Sequence, residues 1–391
     1  ELGRFEAALD AAQTAVELGR SVRRQAADHF DVVSVVAGGL DLQGNVLQDL
    51  RRWDQAERAF QECLDERRPY LGRPGVPARL AWQHATALLN AANLQRARGR
   101  PDRAEQLIRE SLQVLDDVLM SDPNNLEAAL RRGESLNTLA ALLKETNRPD
   151  EARERFLQAA AVFDRFDDEN PEVWRIRQRL GVIQSNLSNL DRANGRNATA
   201  LQFAEKAVSL LEPIASQHPY DVSNSLYLGL ALSNWGQSLA EQGDDSQADR
   251  ELARAIAVLR PLARQQTPAA MLAQSHNVHG TVLERLGRLD QAGQAYQAAA
   301  QCCETLLPKN GALPLELRAL ADHLLEALEP WANLDEARQR YSESESHLRD
   351  ALALLERIVE AFPDDVGARM ARLRVLSNLG TFLARRERFD E

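Results

Sequence analysis

The chain has 391 residues, 44% hydrophobic, 27% charged and 5% aromatic, with few strand-forming residues. That length exceeds one compact core, and the composition is that of long amphipathic helices, which favours an elongated repeat array over several globular domains. A net charge of −11 disfavours nucleic acid or an anionic membrane as the main partner, since both need a cationic face.

Residues 1–22 read as the second helix of an incomplete repeat. The chain opens on Glu1-Leu2-Gly3-Arg4 without a Met or a signal-type leader, so targeting information is expected outside it, as is more of the array on both sides. Repeat 1 follows at 23–76. Its first helix carries Val32, Val33, Val35, Val36, Gly38 and Gly39, a poor helix-forming run in which each mid-helix Gly costs ~1 kcal/mol relative to Ala. Val32 to Leu40 is also the longest apolar run, well short of the ~18 residues of a membrane span. Gly38-Gly39 lacks the Lys and Ser or Thr of a phosphate loop.

Repeats 2, 3 and 4 occupy 77–123, 124–171 and 172–219 and stop at Asp122-Pro123-Asn124, Asn170-Pro171 and His218-Pro219, while Gly99, Gly195, Gly243 and Gly287 break the hairpin turns. Repeat 5 spans 220–268. Four residues are lost near Pro268, and the loss is read as a shortened first helix in repeat 6, at 269–313. Pro308 to Pro314 adds a loop, and repeat 7, at 314–363, carries Pro330 where a kink before Trp331 is expected. Residues 364–391 read as the first helix of a further repeat, ending at Arg388-Phe389-Asp390-Glu391, where the next turn motif falls due.

The repeat is legible in one phrase. Gly3-Arg4-Phe5-Glu6-Ala7-Ala8, Gly99-Arg100-Pro101-Asp102-Arg103-Ala104, Asn147-Arg148-Pro149-Asp150-Glu151-Ala152 and Gly287-Arg288-Leu289-Asp290-Gln291-Ala292 are variants of it. Its last small residue recurs as Ala8, Ala56, Ala104, Ala152, Ala200 and Ala248 at intervals of 48, then as Ala292 and Ser344. Seven residues on stand Ala15, Cys63, Ser111, Ala159, Ala207, Ala255, Ala299 and Ala351. Twelve residues earlier stand Gly44, Ala92, Ala140, Ser188, Gly236, Gly280, Ala332 and Gly380. Small residues at fixed places let antiparallel helices approach closely. With these three columns the chain resembles the tetratricopeptide repeat family, in a long-period bacterial form such as follows serine/threonine protein kinase domains. The resemblance implies an all-α, right-handed superhelical solenoid of antiparallel helix pairs. The usual period is ~34 residues; the excess here is two heptads, one in each helix, which keeps the apolar stripe in phase.

Catalysis has no candidate. His276 and His279 lie three apart without a third ligand, and His29, His84, His218, His323 and His347 are scattered without a repeated nucleophile or acid partner. No metal site, cofactor or nucleotide site is expected. Cys63, Cys302 and Cys303 suit small buried side chains in a reducing compartment, and a cytoplasmic, bacterial protein is expected from them and from three lysines against 44 arginines. Ser342-Glu343-Ser344-Glu345-Ser346 reads as the exposed first turn of a second helix rather than as a phosphorylation tract.

In the family the first helices line the groove. Carried over, its positions hold Asn45; Asn90, Asn93 and Arg96; Asn137 and Lys144; Asn186, Asn189 and Arg192; Asn234; and Asn277, with Asp41, Gln48, Ser185, Ser233 and Gln237 beside them. An amide both donates and accepts, so an asparagine ladder suits the backbone of an extended peptide, unless it only satisfies neighbouring helices. Arg96, Lys144 and Arg192 in successive repeats suggest a cationic strip for acidic side chains, unless carboxylates such as Glu134 and Glu145 neutralise it. The family's carboxylate clamp for chaperone tails is disfavoured, because its lysine positions hold Asp41, Leu89 and Ser185. The function expected is a non-enzymatic protein-interaction scaffold, with a kinase-attached regulatory region or a self-assembling array as alternatives.

Overall fold

The computed structural model describes residues 2–23, 30–169, 172–309, 311 and 313–385. His29, Pro171 and the closing Arg388-Phe389-Asp390-Glu391 lie outside the described residues. Among those described there is no strand. The chain is a succession of helices: α1 (Leu2–Arg23), α2 (Phe30–Asp49), α3 (Trp53–Arg67), α4 (Ala78–Ala97), α5 (Pro101–Ser121), α6 (Leu126–Glu145), α7 (Pro149–Glu169), α8 (Trp174–Ala193), α9 (Asn197–Gln217), α10 (Val222–Gln242), α11 (Asp245–Leu259), α12 (Gln266–Arg285), α13 (Leu289–Glu304), α14 (Arg318–Ala337), α15 (Tyr341–Ala361) and α16 (Val366–Arg385). Among the described residues no helix is long and apolar enough to cross a membrane.

Two kinds of junction alternate. Where a pair closes on proline, the proline stops one helix and the residue two places on caps the next: Asn125 accepts from the Ala128 N–H at 3.1 Å, Asp221 from Ser223 at 3.0 Å and Asp365 from Ala368 at 2.9 Å. Within a pair, one residue turns left-handed and the next donates its N–H back across the turn. Arg100 reaches the Gln95 carbonyl at 2.9 Å, Arg148 that of Leu143 at 2.8 Å, Arg196 that of Asp191 at 2.8 Å and Arg288 that of Leu283 at 2.8 Å. Gly99, Gly195, Gly243 and Gly287 hold the left-handed position with φ of 70°, 71°, 83° and 74°. Arg51, Asn147 and Gln339 hold it in the other turns, so the turn is set by the ring of hydrogen bonds and glycine only eases it.

The small-residue columns are the places of closest approach. Ala56, Ala104, Ala152, Ala200, Ala248 and Ala292 are wholly buried, as are Cys63, Ser111, Ala159, Ala207, Ala255, Ala299 and Ala351. A Cβ on Gly44 would stand 2.5 Å from the Phe60 ring, and one on Gly280 2.5 Å from Tyr296. Gly133, Gly181 and Gly229, spaced by the period, form a fourth column not read from the sequence: a Cβ there would meet Phe163, Leu211 and Leu259 at 2.6, 2.6 and 2.5 Å. Even the weak α2 has its reason. A Cβ on Gly39 would lie 2.7 Å from Val16 and 3.2 Å from the Ala12 carbonyl of α1.

One expectation is corrected. The four residues missing near Pro268 come out of α11, which has 15 residues where α9 has 21, while α12 keeps the 20 residues of the other first helices. Pro261 sits in a 3-10 turn, Arg260–Leu262, that ends the shortened helix, so the loss falls where proline already forbids further α-turns. At Pro330, α14 runs on as one helix.

The chain divides into two compact units, residues 1–177 and 178–391, with the boundary inside α8. In unit 1, α4 packs against α3 and α5 in sequence and also against α2 and α6, so the first helices share a face; in unit 2, α12 does the same with α10 and α14.

Candidate functional site

That shared face of first helices is where the sequence places its site. In unit 1, Asn90 on α4 is half-buried and donates to both carboxylate oxygens of Asp41 on α2, at 3.0 and 3.1 Å. Burial pushes the Asp41 carboxyl above its ordinary range, with the Asn90 hydrogen bond opposing. Asn45 on α2 and Asn93 on α4, one period apart, have no side-chain hydrogen-bond partner among the described residues; Asn45 is half-buried and Asn93 exposed. Asn137 on α6 is half-buried and already in a polar contact, and the exposed Lys144 likewise.

In unit 2 the amides turn inward. Asn234 on α10 is 2% exposed and donates to the carbonyl and hydroxyl of Ser185 on α8 at 3.2 and 2.9 Å. Ser275 of α12 donates to Ser233 of α10 at 3.0 Å, Gln237 to Ser233 at 3.0 Å, and Gln178 to Asn224. Asn277, 6% exposed, donates to the His323 carbonyl of α14 at 2.9 Å. Asn186 and Asn189 on α8 are half-buried and already engaged. Asn234 and Asn277 therefore join neighbouring repeats and present no amide outward.

The cations are neutralised where their partners are visible. Arg96 Nε lies 3.3 Å from Glu145 of α6, and Arg192 Nη1 3.0 Å from Glu241 of α10. Glu134 is held by Arg131 at 3.0 Å. Each cross-repeat pair spans one period plus one residue, a pattern readable in the sequence as an Arg and a Glu 49 apart.

The Arg of the turn phrase is likewise structural. Arg148 grips Glu105 at 2.8 Å and Arg288 grips Asp249 at 2.7 Å, tying each turn to the preceding second helix. His279 contacts the same Asp249 at 2.7 Å, which holds that carboxyl below its usual range against the effect of burial. Among the described residues no three metal-ligating side chains gather. Cys63 and Cys303 are buried thiols pushed up to about 12 by desolvation, unsuited to nucleophilic work. Ser342, Glu343 and Ser346 in the first turn of α15 are exposed as expected, while Ser344 and Glu345 between them are buried.

Family models of the tetratricopeptide repeat match residues 42–117 and 132–163, both inside unit 1. No curated protein matches the chain in sequence. In fold it is similar to the apo form of the quorum sensor NprR from B. thuringiensis, at 12% identity, covering 98% of this chain and 94% of that one with a TM-score of 0.55. It is also similar to BtubC (BKLC) from P. vanneervenii, at 17% identity over 66% of this chain and 92% of the other, TM-score 0.53. A signal-transduction ATPase with numerous domains and a tetratricopeptide-repeat sensor, from Pyrococcus horikoshii, gives 12% identity, 97% of this chain, 53% of that one and a TM-score of 0.53. At such identities the likeness is one of fold.

Proposed function

We propose that this chain, whose first unit carries tetratricopeptide repeats and whose helix pairs follow that fold throughout, is a protein-interaction scaffold that holds an extended peptide against its first helices. Asn45 and Asn93 support this. They lie in the same register on neighbouring first helices, each with an amide that no other group engages among the described residues. Two unengaged amides one repeat apart offer paired donors and acceptors to a peptide backbone, whatever its side chains. An acidic ligand has a weaker basis, because it must compete with Glu145 for Arg96 and with Glu241 for Arg192. A role beside a kinase domain rests on the phrasing of the turns, and the grip of Arg148 on Glu105 explains that phrasing without a kinase.

Capture from a random peptide library at low salt tests the reading. Asn45→Ala with Asn93→Ala should cut capture about tenfold or more, the loss of one to two well-made hydrogen bonds, with the melting temperature unchanged. Undiminished capture by the double variant would sink it. If the captured pool is acidic and Arg96→Ala removes that bias, the ligand displaces Glu145; a pool of neutral composition leaves the amides as the recognition element.

A further inference from the structure

Two second helices end early, and for the same reason. α3 and α11 each have 15 residues, and each runs into a 3-10 turn with proline in the middle, Arg68–Tyr70 and Arg260–Leu262. From there the junctions differ. Repeat 5 reaches α12 in three residues, 263–265, whereas repeat 1 takes seven, Leu71-Gly72-Arg73-Pro74-Gly75-Val76-Pro77, before α4 begins. The short route closes the contact with the next helix pair, since Ala263 and Cys302 of α13 pack against one apolar cluster of Ile256, Leu259 and Leu272. The residues in the same places of repeats 1 and 2, Leu71 and Val114 of α5, stand on the walls of a cavity of about 540 Å³. The fold therefore joins such pairs without the longer loop, and where that loop is present a cavity lies beside it.

The loop is held in shape by its own backbone. Gly72 and Gly75 turn left-handed at φ of 70° and 79°, the Val76 N–H donates to the Arg73 carbonyl at 3.3 Å, and Pro74 and Pro77 fix their own φ. The walls are apolar: Tyr70 and Val118 are buried, and Leu71, Val76, Ala81 and Val114 half-buried. Opposite charges stand at the rim, neither with an ionic partner among the described residues. Exposed Arg73 lies over the Tyr70 ring at 5.7 Å and forms no ion pair, and exposed Asp117 of α5 accepts only from the neutral Gln113 amide at 2.9 Å.

We infer that this cavity binds a small zwitterion with an apolar body: a free apolar amino acid, or a peptide of two or three such residues. The apolar side chains cover the walls while the charged ends stay at the wet rim, the carboxylate with Arg73 and the ammonium with Asp117, so neither end is deeply desolvated. The volume lies within the ~300–1,000 Å³ of small-molecule sites, whose usual make-up is likewise a few polar groups among apolar walls. Neither Asn45 nor Asn93 lines the cavity, so the inference stands apart from peptide capture on the first helices.

Calorimetric titration of the chain with L-leucine, Leu-Leu and Leu-Leu-Leu tests it, with one-to-one binding of at least one of them expected. Binding of leucine assigns the site to amino acids; binding of the peptides alone assigns it to short peptides. Blocking either end of the probe that binds, by amidation or by acetylation, should weaken it about tenfold or more, the loss of one charge-assisted hydrogen bond. Arg73→Ala should weaken the free probe to the same degree and remove the preference for a free carboxylate over an amide. Removing residues 73–76, which shortens the loop to the three residues of repeat 5, should abolish binding. Failure of all three probes to bind, equal binding of blocked and free probes, or undiminished binding by Arg73→Ala overturns the inference. Arg73 is exposed, so that variant reports even if the shortened loop does not fold.

Discussion

The first helices around α4 in unit 1 and those from α8 to α12 in unit 2 solve the same packing problem with different chemistry. In unit 1, α4 is tied to its neighbours by charge: Arg79 to Asp31, Asn90 to the Asp41 carboxylate, Arg96 to Glu145. In unit 2, α8, α10 and α12 are joined chiefly by neutral amides and hydroxyls, Asn234 with Ser185, Ser275 with Ser233 and Gln178 with Asn224, beside the ion pair Arg192–Glu241, and charge returns between α14 and α16 with Arg374–Glu329 and Arg385–Glu336. Beneath both runs the same small-residue frame. The difference separates what the fold requires from what each face is free to vary; among the described residues the open amides of Asn45 and Asn93 lie in unit 1, and Asn333 of α14 holds the same place in unit 2.

Acid should produce the largest effect, and it should strike both units. His84 in unit 1 and His276 in unit 2 are each held down to about 4 by burial, with positive neighbours adding to the shift. An unfolded histidine titrates near ~6.5, so between about 6.5 and 4 the unfolded chain binds more protons than the folded one. Stability is full above about 6.5 and falls as pH drops through that window, by up to roughly 3 kcal/mol per histidine. Unfolding midpoints in urea from pH 7 to 4 measure it. His84→Leu should remove only the share of unit 1, seen as acid-resistant hydrogen exchange there while unit 2 stays sensitive. Equal protection in both units would break the separation.

Next in size is the frame itself. A leucine at Gly236 forces the Leu252 side chain, 2.6 Å from a Cβ, and its backbone N, at 3.3 Å, to move; Gly44→Leu does the same to Phe60. Each should cost ~1–3 kcal/mol, or more if the helices cannot part. In an array the damage stays with the altered repeat and its neighbours. Hydrogen exchange lost uniformly over both units after either substitution would contradict it.

Much of this frame is legible in the sequence because steric closeness leaves few choices. Ala152 or Ala248 tolerates no larger residue, so the column repeats visibly. The Gly133, Gly181 and Gly229 column escapes notice because other repeats hold Ala37, Ala85 and Ala273 there, common anywhere in a helix, and Leu325 breaks it. The site was harder to see. Asn234 and Asn93 look alike in the sequence, yet one is sealed against Ser185 and the other faces solvent, because burial depends on where α8 lies against α10 and not on residue type.

The sharpest comparison sets one inter-repeat contact from each unit side by side. Asn234→Ala removes two hydrogen bonds at a buried place and leaves the Ser185 hydroxyl without that partner, so a loss of ~1–2 kcal/mol is expected. Arg96→Ala breaks a pair whose side chains are 39% and 51% exposed, where water and salt already screen the charges; it should change stability by less than about 0.5 kcal/mol. Raising ionic strength from 0.01 to 1 M shortens the screening length from about 30 to 3 Å. It should therefore erase even that small effect while leaving the cost of Asn234→Ala untouched, because no net charge is involved. Urea unfolding of the two variants at both salt concentrations decides the matter. If Arg96→Ala costs as much as Asn234→Ala, the ionic stitching of unit 1 is structural rather than free to vary, and the groove's cation is unavailable to any ligand. If its cost vanishes as expected, Arg96 remains a group the protein can spare, standing one turn from the open amide of Asn93.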